Sequence, residues 1–389
     1  MKSFLMIIFV SIISLNVYSF SLNRIYANDQ KETFISRALL EKIKELSVTY
    51  YIWETDINKL EENDVILNIY HETELNMMKV NGEFNGGNFE IETEIQDRQE
   101  WVLFFSVQIL EKIASQRFLY DNTWEFLQLT FWNGVDEYPI FLNNKIYYVS
   151  NRYTGNRGIH IWDLETGEKN NLDLKNSSEY FPDISPNERY LAFQTSLFGK
   201  WDIVIYDIIE NTYKRITPAN GRSAYSPYFY NNTLMMYVMD SKNGRTTEFY
   251  IYDLLTGESE LFFAQENLMK FRPARWNSNK IVFYAIDLET AVTNIYYIDE
   301  NKKAVPLIKT ERNEVDSWSD SSDLIVFSRF ENGYYRIFAY ENEETRMITK
   351  SLNNDAYYPT YSPDKQFIFF THYYRELDPD IYVYRNVRE

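Results

Sequence analysis

The sequence repeats itself, and the period restricts the fold more than any other feature of its 389 residues. The pair Tyr206-Asp207, closing the run DIVIYD, returns as Trp162-Asp163, Tyr252-Asp253, Ile298-Asp299, Tyr340-Glu341 and Tyr384-Arg385, at steps of 42 to 46 residues. A second anchor keeps the same beat: Pro139, Pro182, Pro227 and Pro273, then Asp316 in the proline place, then Pro359. A period of this length marks a stacked or radial array of one supersecondary unit. The copy YFPDISPNERYLAFQTSLFGKWDIVIYDIIENTYKRIT contains four short apolar runs between turn formers. One precedes the turn Ser185-Pro186-Asn187-Glu188, and the others are Tyr190–Thr195, Asp202–Ile208 and Tyr213–Thr217. Runs of that length and alternation are strands. Four strands in each of six copies give a mainly β chain built around a six-bladed β-propeller.

The count also says how the ring closes. The last copy ends after three strands, while Trp124–Thr130 lies just before the first copy and matches the fourth-strand endings Arg215-Ile216-Thr217 and Met347-Ile348-Thr349. Residues 123–389 therefore form the propeller, with strand 124–130 completing blade six and covering its open edge.

Residues 28–122 have a different rhythm. Ile35, Leu39, Ile43 and Leu46 share a helical face, as do Trp101, Phe105, Ile109 and Ile113. Strands are expected over 48–53 and 65–70. A hairpin of 75–84 with 89–95 is expected around Asn85-Gly86-Gly87-Asn88. This is a small α/β domain. Ahead of it, Lys2 and the apolar run Phe4–Ile13 make residues 1–27 a signal peptide, with small-residue cleavage sites after Ser19 and after Ala27. The second site is preferred because the chain turns polar after it. An uncleaved anchor is the alternative, weakened by Ser11, Ser14 and Asn16. After cleavage no membrane insertion is expected.

Composition removes several function classes. With no Cys there is no disulfide, no thiolate metal site and no cysteine nucleophile. A net charge of −18 argues against a nucleic-acid partner. No nucleophile elbow, phosphate-binding loop, dinucleotide fingerprint or zincin motif occurs. The three histidines are scattered: His71 in the α/β domain, His160 inside a third strand, and His372 where a strand enters its loop. Asp378-Pro379-Asp380 suggests a metal, but Asp380 takes the place of Asp202 at the opening of a third strand, a structural position. No cofactor, no metal and no catalytic residue is expected, and the chain reads as a non-enzyme.

The copies YFPDISPNERYLAF with WDIVIYD and KRIT, and YYPTYSPDKQFIFF with DPDIYVY, resemble the WD-like propeller repeat of the TolB family. The resemblance covers about 265 residues and is specific for the fold. The same repeat occurs in prolyl-oligopeptidase-type propellers and in some polysaccharide lyases. Export signal, α/β domain and propeller stand in the TolB order, although blades one, four and five lack the Ser-Pro-Asp turn. The resemblance implies a periplasmic, non-enzymatic scaffold in a Tol–Pal-like envelope system, with an OmpA-like peptidoglycan-associated lipoprotein as partner. The alternative is a saccharide-binding or saccharide-cleaving propeller.

A site for such a partner is sought where the repeats differ. Loops between blades, and those joining strands two and three, emerge on one face. That face is expected to carry Trp132, Tyr138, Arg152, Tyr153, Phe198, Trp201, Arg222, Tyr225, Arg245, Arg272, Arg275, Arg329, Phe330, Tyr334, Tyr335, Tyr373, Tyr374 and Arg375. Aromatic residues with arginine are the composition of interface hot spots. The competing reading is that the rings pack between blades and the arginines balance an acidic surface.

Overall fold

The computed structural model describes residues 23–29, 33–47, 51–54, 56–60, 64–84, 87–96, 100–152, 155–172, 174, 177–277, 279–375 and 378–386. Most of the expected leader lies outside the described residues. Its last part does not: β1 (Asn23–Asp29) is a strand of the N-terminal domain. It is followed by α1 (Phe34–Ser47), β2 (Tyr51–Glu54), β3 (Val65–Glu72), β4 (Met77–Phe84), β5 (Gly87–Glu94) and α2 (Trp101–Tyr120). The sheet order is β2-β1-β3-β4-β5, with β1 parallel to both neighbours. The expected 27/28 boundary thus falls inside an interior strand, where Ile25 is fully buried. The domain begins by Asn23, and the cleavage site after Ala27 would cut this strand in two. Gly87 and Asn88, expected in the hairpin loop, belong to β5, and Phe84 pairs with Gly87.

The ring begins with β6 (Phe126–Gln128). Blade one is β7 (Asp136–Leu142), β8 (Lys145–Ser150), β9 (Gly158–Asp163) and β10 (Lys169–Leu172). Blade two is β11 (Glu179–Ile184), β12 (Tyr190–Thr195), β13 (Asp202–Asp207) and β14 (Thr212–Arg215). Blade three is β15 (Ala224–Phe229), β16 (Leu234–Asp240), β17 (Thr247–Asp253) and β18 (Glu258–Ala264). Blade four is β19 (Leu268–Trp276), β20 (Lys280–Asp287), β21 (Thr293–Ile298) and β22 (Ala304–Ile308). Blade five is β23 (Glu314–Trp318), β24 (Ile325–Glu331), β25 (Tyr334–Glu341) and β26 (Glu344–Met347). Blade six has β27 (Ala356–Tyr361), β28 (Phe367–Arg375) and β29 (Asp378–Arg385), and β6 is its fourth strand.

The closing pair is antiparallel, with Gln128 opposite Tyr382 and Phe126 opposite Tyr384. A side-chain latch reinforces it. Asp380 accepts from Thr130 Oγ1 at 3.1 Å and from Gln128 Nε2 at 2.9 Å. Blade two shows the same device inside a continuous copy, where Thr217 Oγ1 donates to Asp202 at 2.6 Å. Asp380 is a structural residue for this reason.

Each inner strand carries a bulge at one position. Tyr138, Phe181, Ser226, Arg272, Asp316 and Tyr358 all have positive φ, between 45° and 57°. The ladder register shifts around every one. A proline follows in five of the six. The bulge leaves that residue's N–H without a ladder partner, so proline forfeits nothing there. In blade five the register moves the anchor by one. Ser317 stands in the proline place, and Asp316 occupies the bulge itself.

α2 joins the two parts of the molecule. Val107, Ile109, Leu110, Ile113, Ala114 and Phe118 are all buried, which a helix permits only when it is covered on several sides. It packs on α1 on the domain side. On the ring side Phe118 meets Phe141 of blade one and Phe367 of blade six, at 5.6 and 4.8 Å between centroids.

Closure gives the first prediction. Leu127 lies in the β6–β29 ladder with its side chain buried. Leu127→Pro should lower stability by about 3 kcal/mol or more, read as a fall in the urea midpoint, with blade six becoming the first site of limited proteolysis.

Candidate binding face

The six bulged residues point to the ring axis and fill it. Tyr138 contacts Tyr358 at 4.1 Å and Phe181 at 4.5 Å between centroids, and Phe181 reaches Tyr358 across the ring at 5.8 Å. Arg272 stands 6.0 Å over the Phe181 ring and 3.9 Å from the Asp316 carboxylate. The space lined by Tyr138, Phe181, Ser226, Arg272 and Trp318 between the inner strands is about 20 Å³. The axis is a plug.

Two carboxylates are buried here, Asp316 within the plug and Asp183 beside it. Burial pushes Asp183 up to about 7, against the pull of the Phe229 N–H and Arg272. Burial likewise raises Asp316 to about 6, against Arg272, the Tyr358 N–H and the Tyr284 hydroxyl.

Above the plug lies the mouth. The residue just before each bulge is Glu137, Tyr180, Tyr225, Phe271, Val315 or Tyr357. Tyr180 meets Trp201 edge-on at 5.3 Å and carries Arg157 over its face at 5.5 Å. Tyr357 packs on Tyr335 at 4.8 Å and on Tyr373 at 5.7 Å. Glu137 accepts from the Tyr373 hydroxyl and from Arg157 Nε at 3.3 Å. Burial and the Glu137 charge together hold Tyr373 protonated. Farther out, the strand-two-to-three connections and the strand ends beside them expose Phe198 (38%), Phe330 (44%), Tyr334 (38%) and Tyr374 (39%). The mouth is a shallow aromatic surface with the Glu137–Arg157 ion pair set into it.

The expected site residues divide. Trp201 and Tyr373 belong to this face. Arg245 is exposed on the strand-two-to-three connection of blade three. Arg222 is held by Glu248 at 2.9 Å and by the Tyr250 hydroxyl at 3.0 Å. Arg329 is paired at 2.9 Å with Glu314, whose side chain is fully buried. Arg375 ends β28 opposite Asp378, and Tyr153 lies outside the described residues. Three positions need correction. Arg275 follows the bulge of its strand, so it sits at the opposite end of the blade, over Tyr230 at 4.7 Å. Trp132 stacks on Phe104 of α2 at 5.2 Å. Arg152 is 3% exposed, paired with Asp136 and with Glu111 of α2 at 3.0 Å. The last two hold the α/β domain to blade one. Arg272 and Tyr138 belong to the plug.

The arginine cluster is electrostatically closed. Glu111 is lowered: burial disfavours its charge, but Arg152 and Lys169 outweigh that. Asp136, deeper and fully buried, is raised by burial despite Arg152. Burial and the nearby Arg152 and Lys169 push His160 down to about 3, so it is a neutral interior residue. Burial also lowers His372 to about 4, and its Nε2–H donates to Asn353 O at 2.7 Å. His71 Nδ1 lies 2.9 Å from Thr33 Oγ1. Among the described residues no group of three or more His, Cys, Asp or Glu is arranged to hold a metal ion.

Sequence reasoning missed Glu137, Arg157, Tyr180 and Tyr357. Counting two residues back from each proline would have found three of them. Arg157 carries no such mark.

No protein-family model matches the sequence, and no curated protein matches it significantly. Solved structures do match in shape. TolB from Acinetobacter baumannii aligns over 94% of both chains with a TM-score of 0.50 and 12% identity. The fold is TolB-like. A putative TolB from Agrobacterium tumefaciens aligns over 66% of this chain and 91% of its own, with a TM-score of 0.49 and 14% identity. An oligogalacturonate lyase from Vibrio parahaemolyticus aligns over 69% and 95%, with a TM-score of 0.49 and 12% identity.

Two predictions follow from this geometry. Arg152→Ala leaves Glu111 and Asp136 buried without their shared partner, and should destabilise by about 3–5 kcal/mol in chemical denaturation. Asp183 binds its proton more tightly folded than unfolded, so its contribution to stability falls as pH rises from about 4 to about 7. Asp183→Asn should flatten the pH dependence of Tm over that window.

Proposed function

We infer that the chain is a non-enzymatic propeller scaffold of the cell envelope, exported to the periplasm, that docks a protein partner on the aromatic mouth of its ring. The filled axis carries this reading. On the ring axis the space among Tyr138, Phe181, Arg272 and Trp318 is only about 20 Å³, too small for a substrate there, while the rim offers exposed Phe198, Phe330, Tyr334 and Tyr374 around the Glu137–Arg157 pair. Large aromatic side chains around a few polar groups suit a protein surface. Among the described residues no helix is long and apolar enough to cross a membrane. The TolB-like order of domain and ring supports an OmpA-like peptidoglycan-associated lipoprotein as the partner.

The saccharide-cleaving alternative needs a titratable base in the mouth. The two propeller histidines are interior and neutral, and Glu137 is already engaged. Calorimetric titration of the chain with a purified OmpA-like domain tests the reading. Binding is expected, and Phe330→Ala with Tyr374→Ala should weaken it about tenfold or more, because both rings are exposed and their loss spares the blades. Wild-type affinity in that double variant would remove this face. Binding of oligosaccharide alone would favour the alternative.

A further inference from the structure

The sheet of the N-terminal domain ends on β5, and among the described residues no other strand pairs with its outer edge. The direction of its main-chain groups is set by the ladder with β4. Ile95 N–H donates to Asn76 O, so pairs in step with it, through Thr93, Ile91 and Phe89, exchange their bonds with β4. Glu90 and Glu92 therefore turn their N–H and C=O groups outward.

That edge borders a cleft of about 730 Å³ between the domain and blade one. Its floor is α2 from Phe104 to Ser115, and its far wall includes Trp132, Trp162 and Lys169. The floor is ~16 Å long at about 1.5 Å per helical residue. A β-strand of about five residues has that length.

The aromatic rings of the wall are already engaged, Trp162 fully and Trp132 on one face. Trp132 stacks on Phe104, with its Nε1 donating to Asn151 Oδ1 at 3.0 Å. Trp162 is 1% exposed, with Lys169 Nζ 4.2 Å over its ring. Beside side chains such as Gln108 and Lys112, the cleft is offered the outward main-chain groups of β5, which among the described residues have no strand partner.

We propose that this cleft takes an extended segment of a partner protein as a sixth strand on β5, with Lys or Arg at alternate positions and Val or Ile between them. The alternation follows from the two faces that an added strand meets. On the open face stand Glu90, Glu92 and Glu94, all exposed, against one lysine, Lys79, which pairs with Glu90 at 2.7 Å and stands opposite Glu92 in the ladder. On the helix side the strand meets Ile91, Phe104 and Val107. A second copy of this chain is a poor occupant, because antiparallel β5–β5 pairing sets a glutamate row against its own image. The site is separate from the ring mouth and does not rest on the reading given for it.

Fluorescence anisotropy with the full chain and a labelled seven-residue peptide, alternating Lys with Val or Ile, tests the proposal. A peptide of the same composition with its lysines in one block is the control. The alternating peptide should bind about tenfold tighter or more. Glu92→Pro removes one outward N–H and leaves the β4 ladder intact, so it should weaken binding about tenfold or more. Glu92→Gln removes only the charge and should cost about two- to fivefold. Equal binding of the two peptides overturns the proposal, as does a Gln variant that loses as much as the Pro variant. A concentration-dependent dimer abolished by Glu92→Pro would assign the edge to a second copy and overturn it as well. Should Glu92→Pro unfold the domain, N-methylation of alternate peptide amides replaces it. One methylation register should abolish binding and the other spare it, and equal effects overturn strand addition.

Discussion

The molecule depends on a pairing between residues about 250 positions apart. β6 must find β29, and until it does blade six lacks a strand. Thr130 and Gln128 reach Asp380 with the geometry that Thr217 uses on Asp202 within blade two, so the closing blade is bonded like a continuous one. Closure of such a long loop is entropically costly and slow to form. It also fixes everything that precedes it. α2 ends at Tyr120, a few residues before β6, and its position on the ring follows from the strand it feeds.

That position is held by two unlike contacts. Near its C-terminus Phe118 is packed between Phe141 and Phe367, an apolar joint to blades one and six. Midway, Glu111 enters the interior and meets Arg152 and Lys169, with Asp136 behind. A buried charge cluster of this kind contributes little net stability, but it disfavours any other docking, because a shifted helix would leave ions unpaired in a dry site. The apolar joint supplies adhesion and the ionic one supplies register.

The fold was legible because every blade solves the same packing problem with the same spacing, so six noisy copies reinforce one another. What a period cannot show is a contact between non-equivalent parts. Arg152 looked like a loop arginine because its partner, Glu111, lies 41 residues away in another domain. Arg275 reads as a mouth residue by its distance from the loop, but the bulge sits between the two and turns it to the other end of the blade, which only the register reveals. β1 was hidden by continuity, since its apolar Ile25 follows an apolar leader with no punctuation between them. In blade five the missing proline moved the anchor by one residue and concealed the part Asp316 plays in the plug.

Consider finally the six bulges. The backbone at each is set by its ladder and usually by the proline that follows, so the side chain there is free of any duty to its own blade. Tyr138, Phe181, Ser226, Arg272, Asp316 and Tyr358 are six unrelated choices set in six equal frames. The axis of the ring can therefore be rewritten one residue at a time, from aromatic to ionic or from closed to open, while the blades keep their shape. Such a chain separates the repeated frame of the ring from the six side chains that fill its axis.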